Sequence, residues 1–286
     1  MRALLLLIIL MASAMAGMAN AGGVDLARQG LAAQQQGEWR QAIDLYSQAL
    51  AAGDLSMKSK AEVLGLRANA FGVTGAHDKA LADFTAAMEM VPDQPDPYVG
   101  RSIVYRQMGD YAHAIEDATT ALAHSPAYAF AYTNRGLANF YAGNFAAAAD
   151  DFFQSHKADP HEPDFVVWLH LARARAGQDD GGELAANAAP INPDIWSGPA
   201  VYFFLGKVKP EDLPTLAATP NPVVQMQQSC EASFYLGEAD LMAGDKNAAR
   251  WNFQAVLKAC DLYKSNYAWF SNTYGGALTE LKRLDQ

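Results

Sequence analysis

One recurring spacing constrains this chain more than any other feature. Tyr98, Ser102, Tyr105, Gly109, Ala114, Ala118, Ala121 and Pro126 are answered, in the same order, by Tyr132, Gly136, Asn139, Gly143, Ala148, Phe152, Ser155 and Pro160. Small and bulky side chains keep one fixed offset throughout. A period of about 34 residues is the length of a pair of antiparallel helices, and such pairs bury their apolar faces by stacking on their neighbours. The expected fold class is therefore all-α, a right-handed superhelix of helical hairpins.

Other segments fall into the same register. Gly30, Gly37, Ala42, Tyr46 and Ala49 mark a first unit, and Ala68, Phe71, Gly75, Ala80, Phe84, Ala87 and Pro92 a second. The second follows the first at a slightly wider offset, because Leu55–Lys60 lengthens the connection. Prolines 92, 126 and 160 end successive units, where a missing amide donor costs least. Arg67, Arg101 and Arg135 share one register position in the first helices, and Asp83, Asp117 and Asp151 share another in the second helices. This pattern predicts one arginine–aspartate pair clamping each hairpin.

A fifth unit at about 163–196 is degenerate: an apolar helix from Phe165 to Ala174, then a short helix over Glu183–Ala188. Residues 194–228 read as a divergent helical pair, with a helix start at Lys209–Leu213 and a stop at Pro220-Asn221-Pro222. Gly237, Gly244, Ala249, Phe253 and Val256 restore the motif, on helices expected at Gln228–Met242 and Lys246–Cys260. Cys230 would open one of these and Cys260 close the other. Their ends meet in an antiparallel hairpin, so a disulfide is expected. Tyr267–Leu284 should form a capping helix, which a stack of repeats needs at its end.

The N-terminus reads as a targeting segment. Arg2 precedes the apolar run Leu4–Leu10, and Ala19-Asn20-Ala21 offers a cleavage site after Ala21. The domain reading is a signal peptide at 1–21, repeats at 22–194, and the divergent pair, last repeat and cap at 195–286. The expected location is the periplasm, without lipidation because no cysteine lies near the cut, and without a stable membrane span after processing. The formal charge is −10, and cleavage would take it to −11. An acidic surface repels phosphate backbones, so nucleic acid is not an expected partner.

Catalytic and metal-binding patterns are missing from the sequence. The six histidines form no His-x-x-x-His pair, and the two cysteines are far apart in the chain. There is no phosphate-binding glycine loop and no Gly-x-Ser-x-Gly elbow. The expectation is no catalytic residue, no metal and no cofactor. Binding is expected instead on the inner face made by the first helix of each hairpin. Register places Asn69, Val99, Ile103, Arg106, Thr133, Leu137, Phe140 and Tyr141 there. Arg106 and Tyr141 lead, because arginine and tyrosine carry large shares of interface energy. A carboxylate clamp for a chaperone C-terminus is not expected, since Gly65 and Gly100 replace two polar positions and Asp164 a basic one.

The chain resembles the tetratricopeptide repeat family across about 24–190 and again across 228–263. Within that family it resembles bacterial periplasmic adaptor lipoproteins of the NlpI type. That likeness rests on Trp168-Leu169-His170-Leu171-Ala172, on Trp196 with Pro199, on Tyr202-Phe203-Phe204-Leu205-Gly206, and on Phe234-Tyr235-Leu236-Gly237-Glu238 before the Gly244-Asp245 turn. The resemblance implies a homodimeric adaptor that binds a periplasmic protease and helps regulate peptidoglycan hydrolases. The chain departs from it in lacking the lipidated cysteine and in adding Cys230 and Cys260. The alternatives are a self-associating structural component of the envelope and an enzyme acting on cell-wall material.

Overall fold

A computed structural model of the chain describes residues 22–260 and 271–286. The expected signal peptide, and Tyr267–Phe270 of the expected cap, lie outside the described residues. Within them all regular structure is helical, and the stretch 61–162 carries no strand. The chain divides into two compact units, Met1–Gly100 and Arg101–Gln286.

The first unit holds α1 (Gly23–Gln35), α2 (Trp39–Ala51), α3 (Met57–Val73), α4 (His77–Met90) and the start of α5 (Pro95–Gln107). Helices α1 and α2 form one hairpin and α3 and α4 the next. Its core is the repeat's own column of small and aromatic residues. Ala42, Tyr46, Ala49, Ala80, Phe84 and Ala87 are all at most 2 % exposed. Ser56 caps α3 by accepting from the Ser59 amide. Arg67 grips Asp83 through two nitrogens, at 2.7 and 2.8 Å, and donates a third bond to Ser47 Oγ of the preceding hairpin at 3.0 Å.

The second unit continues α5 and adds α6 (Tyr111–His124), α7 (Ala129–Ala142), α8 (Phe145–Ala158) and α9 (Pro163–Arg175). Four further elements complete the irregular part: α10 (Gly181–Asn187), α11 (Gly198–Phe204), α12 (Leu213–Leu216) and α13 (Pro222–Ala243). The chain ends with α14 (Lys246–Cys260) and α15 (Ser271–Leu284). The clamp recurs here twice. Arg101 meets Asp117 at 2.7 and 2.8 Å, and Arg135 meets Asp151 at 2.7 Å while reaching Thr119 of the previous hairpin. Two parallel N–H···O bonds fix direction as well as distance, so each clamp sets the angle between its two helices.

Close approach of paired helices depends on small residues. A Cβ on Gly136 would lie 3.0 Å from the Phe152 ring, and one on Gly237 only 2.7 Å from the Phe253 ring. The two glycine–ring pairs occupy the same register positions of their hairpins. Ser102, in the same place as Gly136, is 2 % exposed and so lies inside the pair. The α7–α8 turn runs through Gly143 at φ 89°, a conformation open to glycine and costly for other residues.

The largest departures from the expected helix boundaries lie in the stretch 209–228. Helix α13 begins at Pro222 rather than Gln228, because Asn221 caps it by accepting from the Val223 and Val224 amides and Pro222 takes the first helical position. Cys230 therefore sits inside α13 rather than opening it, yet it is still joined to Cys260 by a disulfide with Cα atoms 6.4 Å apart. The helix expected to start within Lys209–Leu213 begins at Leu213 and runs only to Leu216, the short α12.

Candidate functional site

The eight residues assigned by register to the binding face separate once their surroundings are known. In the first unit Asn69 is exposed on α3, whereas Val99 is 2 % exposed. In the second unit Ile103 and Thr133 are half-buried, and Thr133 Oγ1 bonds to Ala129 O at 3.1 Å. Arg106, Leu137, Phe140 and Tyr141 are interior, none above 8 % exposed. The reading of Arg106 and Tyr141 as solvent-facing contacts is therefore corrected. Arg106 Nη2 lies 3.5 Å from Asn134 Oδ1, and burial lowers its pKa. Burial likewise pushes the Tyr141 hydroxyl well above its usual range.

Phe140 is buried by Phe145 and Trp168 of the adjoining helices, and around Tyr141 another helix of the same chain covers this face. In α15, Gly276, Thr279, Glu280 and Arg283 fall at i, i+3, i+4 and i+7, one side of a helix. Gly276 sits against Tyr141 and Phe234, where a Cβ would meet their rings at 2.7 and 2.8 Å. Thr279 Oγ1 pairs with Tyr111 OH at 2.8 Å. Arg283 Nη2 donates to the carbonyls of Tyr141 at 2.8 Å and Phe140 at 3.3 Å, at the C-terminal end of α7 where the helix dipole favours a cation.

A buried charge network completes the contact. Arg175 on α9 donates to Glu238 on α13 at 2.7 Å and to Glu280 on α15 at 3.0 Å, and Arg283 also pairs with Glu280. The Arg175 guanidinium lies over the Phe145 ring at 4.5 Å, and that of Arg283 at 5.3 Å. Glu238 and Glu280 are 0 % and 1 % exposed. Burial and the neighbouring Glu280 carboxylate push Glu238 up to about 8, against the pull of Arg175. Glu238 Oε1 is buried and has no hydrogen-bond partner among the described residues.

The first unit leaves its corresponding face open among the described residues. Val24 and Leu31 on α1 are 53 % and 38 % exposed. Glu62 and Asn69 on α3 are exposed, Leu66 is half-buried, and a Cβ on Gly65 would meet nothing. Val24 answers Glu62 and Leu31 answers Asn69 at the wider offset between the first two repeats, and α1 packs beside α3. Val24 and Leu31 were legible from that offset, although on α1 and α3 the sequence reading named only Asn69.

A second acidic cluster is internally satisfied. Ser197 Oγ donates to Asp164, while Trp196 Nε1 donates to Glu231 Oε2 at 2.6 Å and Gln227 to Glu231 Oε1 at 2.9 Å. Burial raises both carboxyls, Glu231 to about 7. These bonds tie α9, α11 and α13 together. Among the described residues no three His, Cys, Asp or Glu side chains are grouped to hold a metal ion. No described helix is long and apolar enough to cross a membrane.

Comparison with known proteins agrees with this architecture. Residues 27–95 and 100–163 match the family model described as tetratricopeptide repeat. A tetratricopeptide repeat protein from Parabacteroides merdae is similar over 87 % of this chain and 98 % of its own, at 17 % identity and a TM-score of 0.58. The pilF protein of Pseudomonas aeruginosa is similar over 85 % of this chain and 94 % of its own, at 13 % identity and a TM-score of 0.53. At such identities the likeness establishes the fold.

Proposed function

We propose that this chain, which carries tetratricopeptide repeats over residues 27–95 and 100–163, is a non-catalytic scaffold that binds a polypeptide partner on the first-helix faces of its hairpins. One observation carries this reading: in the second unit that face already holds a helix, through Gly276 against Tyr141 and Phe234 and through Arg283 on the α7 carbonyls. The same kind of face lies open on α1 and α3. Such surfaces bind helices or extended peptides by apolar anchors ringed with polar groups.

The finer reading is an exported adaptor of the cell envelope, acting as a homodimer on a periplasmic protease or peptidoglycan hydrolase. It is supported by the N-terminal pattern of Arg2, Leu4–Leu10 and Ala19-Asn20-Ala21, and by the likeness to adaptors of the NlpI type. The Cys230–Cys260 disulfide suits an oxidising compartment. A self-associating structural role is favoured by one residue, Trp251, which is 69 % exposed on α14.

The scaffold reading is tested by capture from periplasmic extract. Leu31→Asp should lower capture of the client by about tenfold or more, the effect of losing one apolar anchor, with helical content unchanged. Undiminished capture by that variant would count against the α1–α3 face.

A further inference from the structure

We infer that Asp164 and Glu231 form a proton-operated latch on the irregular stretch between α9 and α13. The turn that leads into α11 is held between those two helices while Glu231 carries a proton, and it loosens once both carboxyls are ionised. The latch lies apart from the first-helix faces proposed above as the binding surface, and it needs no partner to act.

Asp164 lies in the first turn of α9 and Glu231 in the middle of α13. Two consecutive residues of the turn before α11 bond to them, Ser197 Oγ to Asp164 and Trp196 Nε1 to Glu231 Oε2. The turn is thereby pinned to two different helices at adjacent positions. Both carboxyls are half-buried, and Ser197 and Tyr235 beside them are 2 % and 1 % exposed. The titratable groups around the pair are carboxyls and phenols. Glu162 acts on the α9 side, Tyr235 lies one turn beyond Glu231, and Tyr141 of α7 faces Tyr235. Two turns further along α13, Glu238 is paired with Arg175. His170 of α9 bonds to Asp180 at 2.9 Å, and its ring lies 4.9 Å from that of Phe204, so it faces α11. Among the described residues no cation is paired with Asp164 or Glu231.

Two carboxylates that share such a site without a cation repel, so one of them keeps a proton into the neutral range. The N-terminus of α9 favours the charge on Asp164, which leaves the proton to Glu231. Burial and the Asp164 charge raise Glu231 to about 7. Protonated Glu231 still accepts from Trp196 at one oxygen. Gln227, which donates to the other at 2.9 Å, can turn its amide oxygen to accept the carboxyl proton. A carboxyl raised in the closed state binds its proton more tightly there than in the opened one, so closing is favoured at acidic pH. That advantage is lost as pH rises from the ordinary carboxylate value of about 4.3 through about 7.

The test is hydrogen exchange of the full chain, read on the Ala200 and Val201 amides, which donate to Ser197 O at 3.0 and 3.3 Å. Protection, corrected for the intrinsic rise of exchange with pH, should fall roughly tenfold or more in the wild type between about pH 5.5 and about pH 8. It should stay level on α2, whose buried face holds no carboxyl. Glu231→Gln removes the titrating group and keeps its shape, so protection there should stay high and change by less than about twofold. Asp164→Asn should move the fall to lower pH, because Glu231 then no longer faces a charge. Level protection in the wild type, an equal fall on α2, or a fall that both variants leave unchanged would each overturn the latch. Loss of helical content in both variants would also overturn it, since neutral side chains should suit a pair that already holds a proton.

Discussion

Trp168→Ala is expected to destabilise the chain by ~3–5 kcal/mol, the range for removing a large aromatic side chain from a packed core. Trp168 is 6 % exposed and central to the second unit. Its ring lies 5.4 Å from Phe140, 5.8 Å from Phe152, 5.6 Å from Phe234 and 6.1 Å from Tyr141. Those rings come from α7, α8 and α13, so a single deletion loosens three helices at once. The neighbours are rigid aromatics that collapse poorly into a void, which places the cost toward the upper end. Chemical denaturation should show a lower midpoint at similar slope. A loss below about 1 kcal/mol would mean that the ring is not the packing centre described here.

Arg175→Ala is expected to cost a comparable ~3–5 kcal/mol, for an electrostatic reason. It removes the cation shared by two carboxylates that are at most 1 % exposed, leaving Arg283 paired with Glu280 and Glu238 without its ion-pair partner. Without Arg175 the pull that opposes burial is lost, and the Glu238 carboxyl is pushed up further. Arg175→Lys should recover only part of the loss, because a point charge reproduces neither the two-pronged bridge nor the stacking on Phe145. Denaturation of Arg175→Ala, Glu238→Gln and the double variant measures the coupling. The double variant should be less destabilised than the sum of the two singles. Strict additivity would show that the pair does not act as a unit.

The repeat architecture was legible because its determinants are local and periodic. The column of Ala80, Phe84 and Ala87 recurs at fixed spacing, and so do the Arg67–Asp83, Arg101–Asp117 and Arg135–Asp151 pairs, which form as the register predicts. The cover on the binding face was not legible in the same way. Phe140 and Tyr141 occupy register positions that face inward in a regular stack, and nothing within one period shows that a helix lies over them. The Tyr141 ring is covered by Gly276, and the main-chain carbonyls of Phe140 and Tyr141 by Arg283, both several periods away in sequence. The degenerate stretch between α9 and α13 interrupts the period, so the placement of α15 could not be extrapolated from the first four hairpins. The Asn221 cap of α13 was misread for a different reason: Pro220-Asn221-Pro222 suits the end of one element and the start of the next equally well.

The most direct measurement of the central claim, that first-helix faces bind the partner, is photo-crosslinking in the native compartment. A photoreactive phenylalanine replaces Asn69, exposed on first helix α3, or Asp44, exposed on second helix α2. Adducts with a client polypeptide are expected from position 69 and not from position 44. Adducts from position 44 with none from position 69 would contradict the claim.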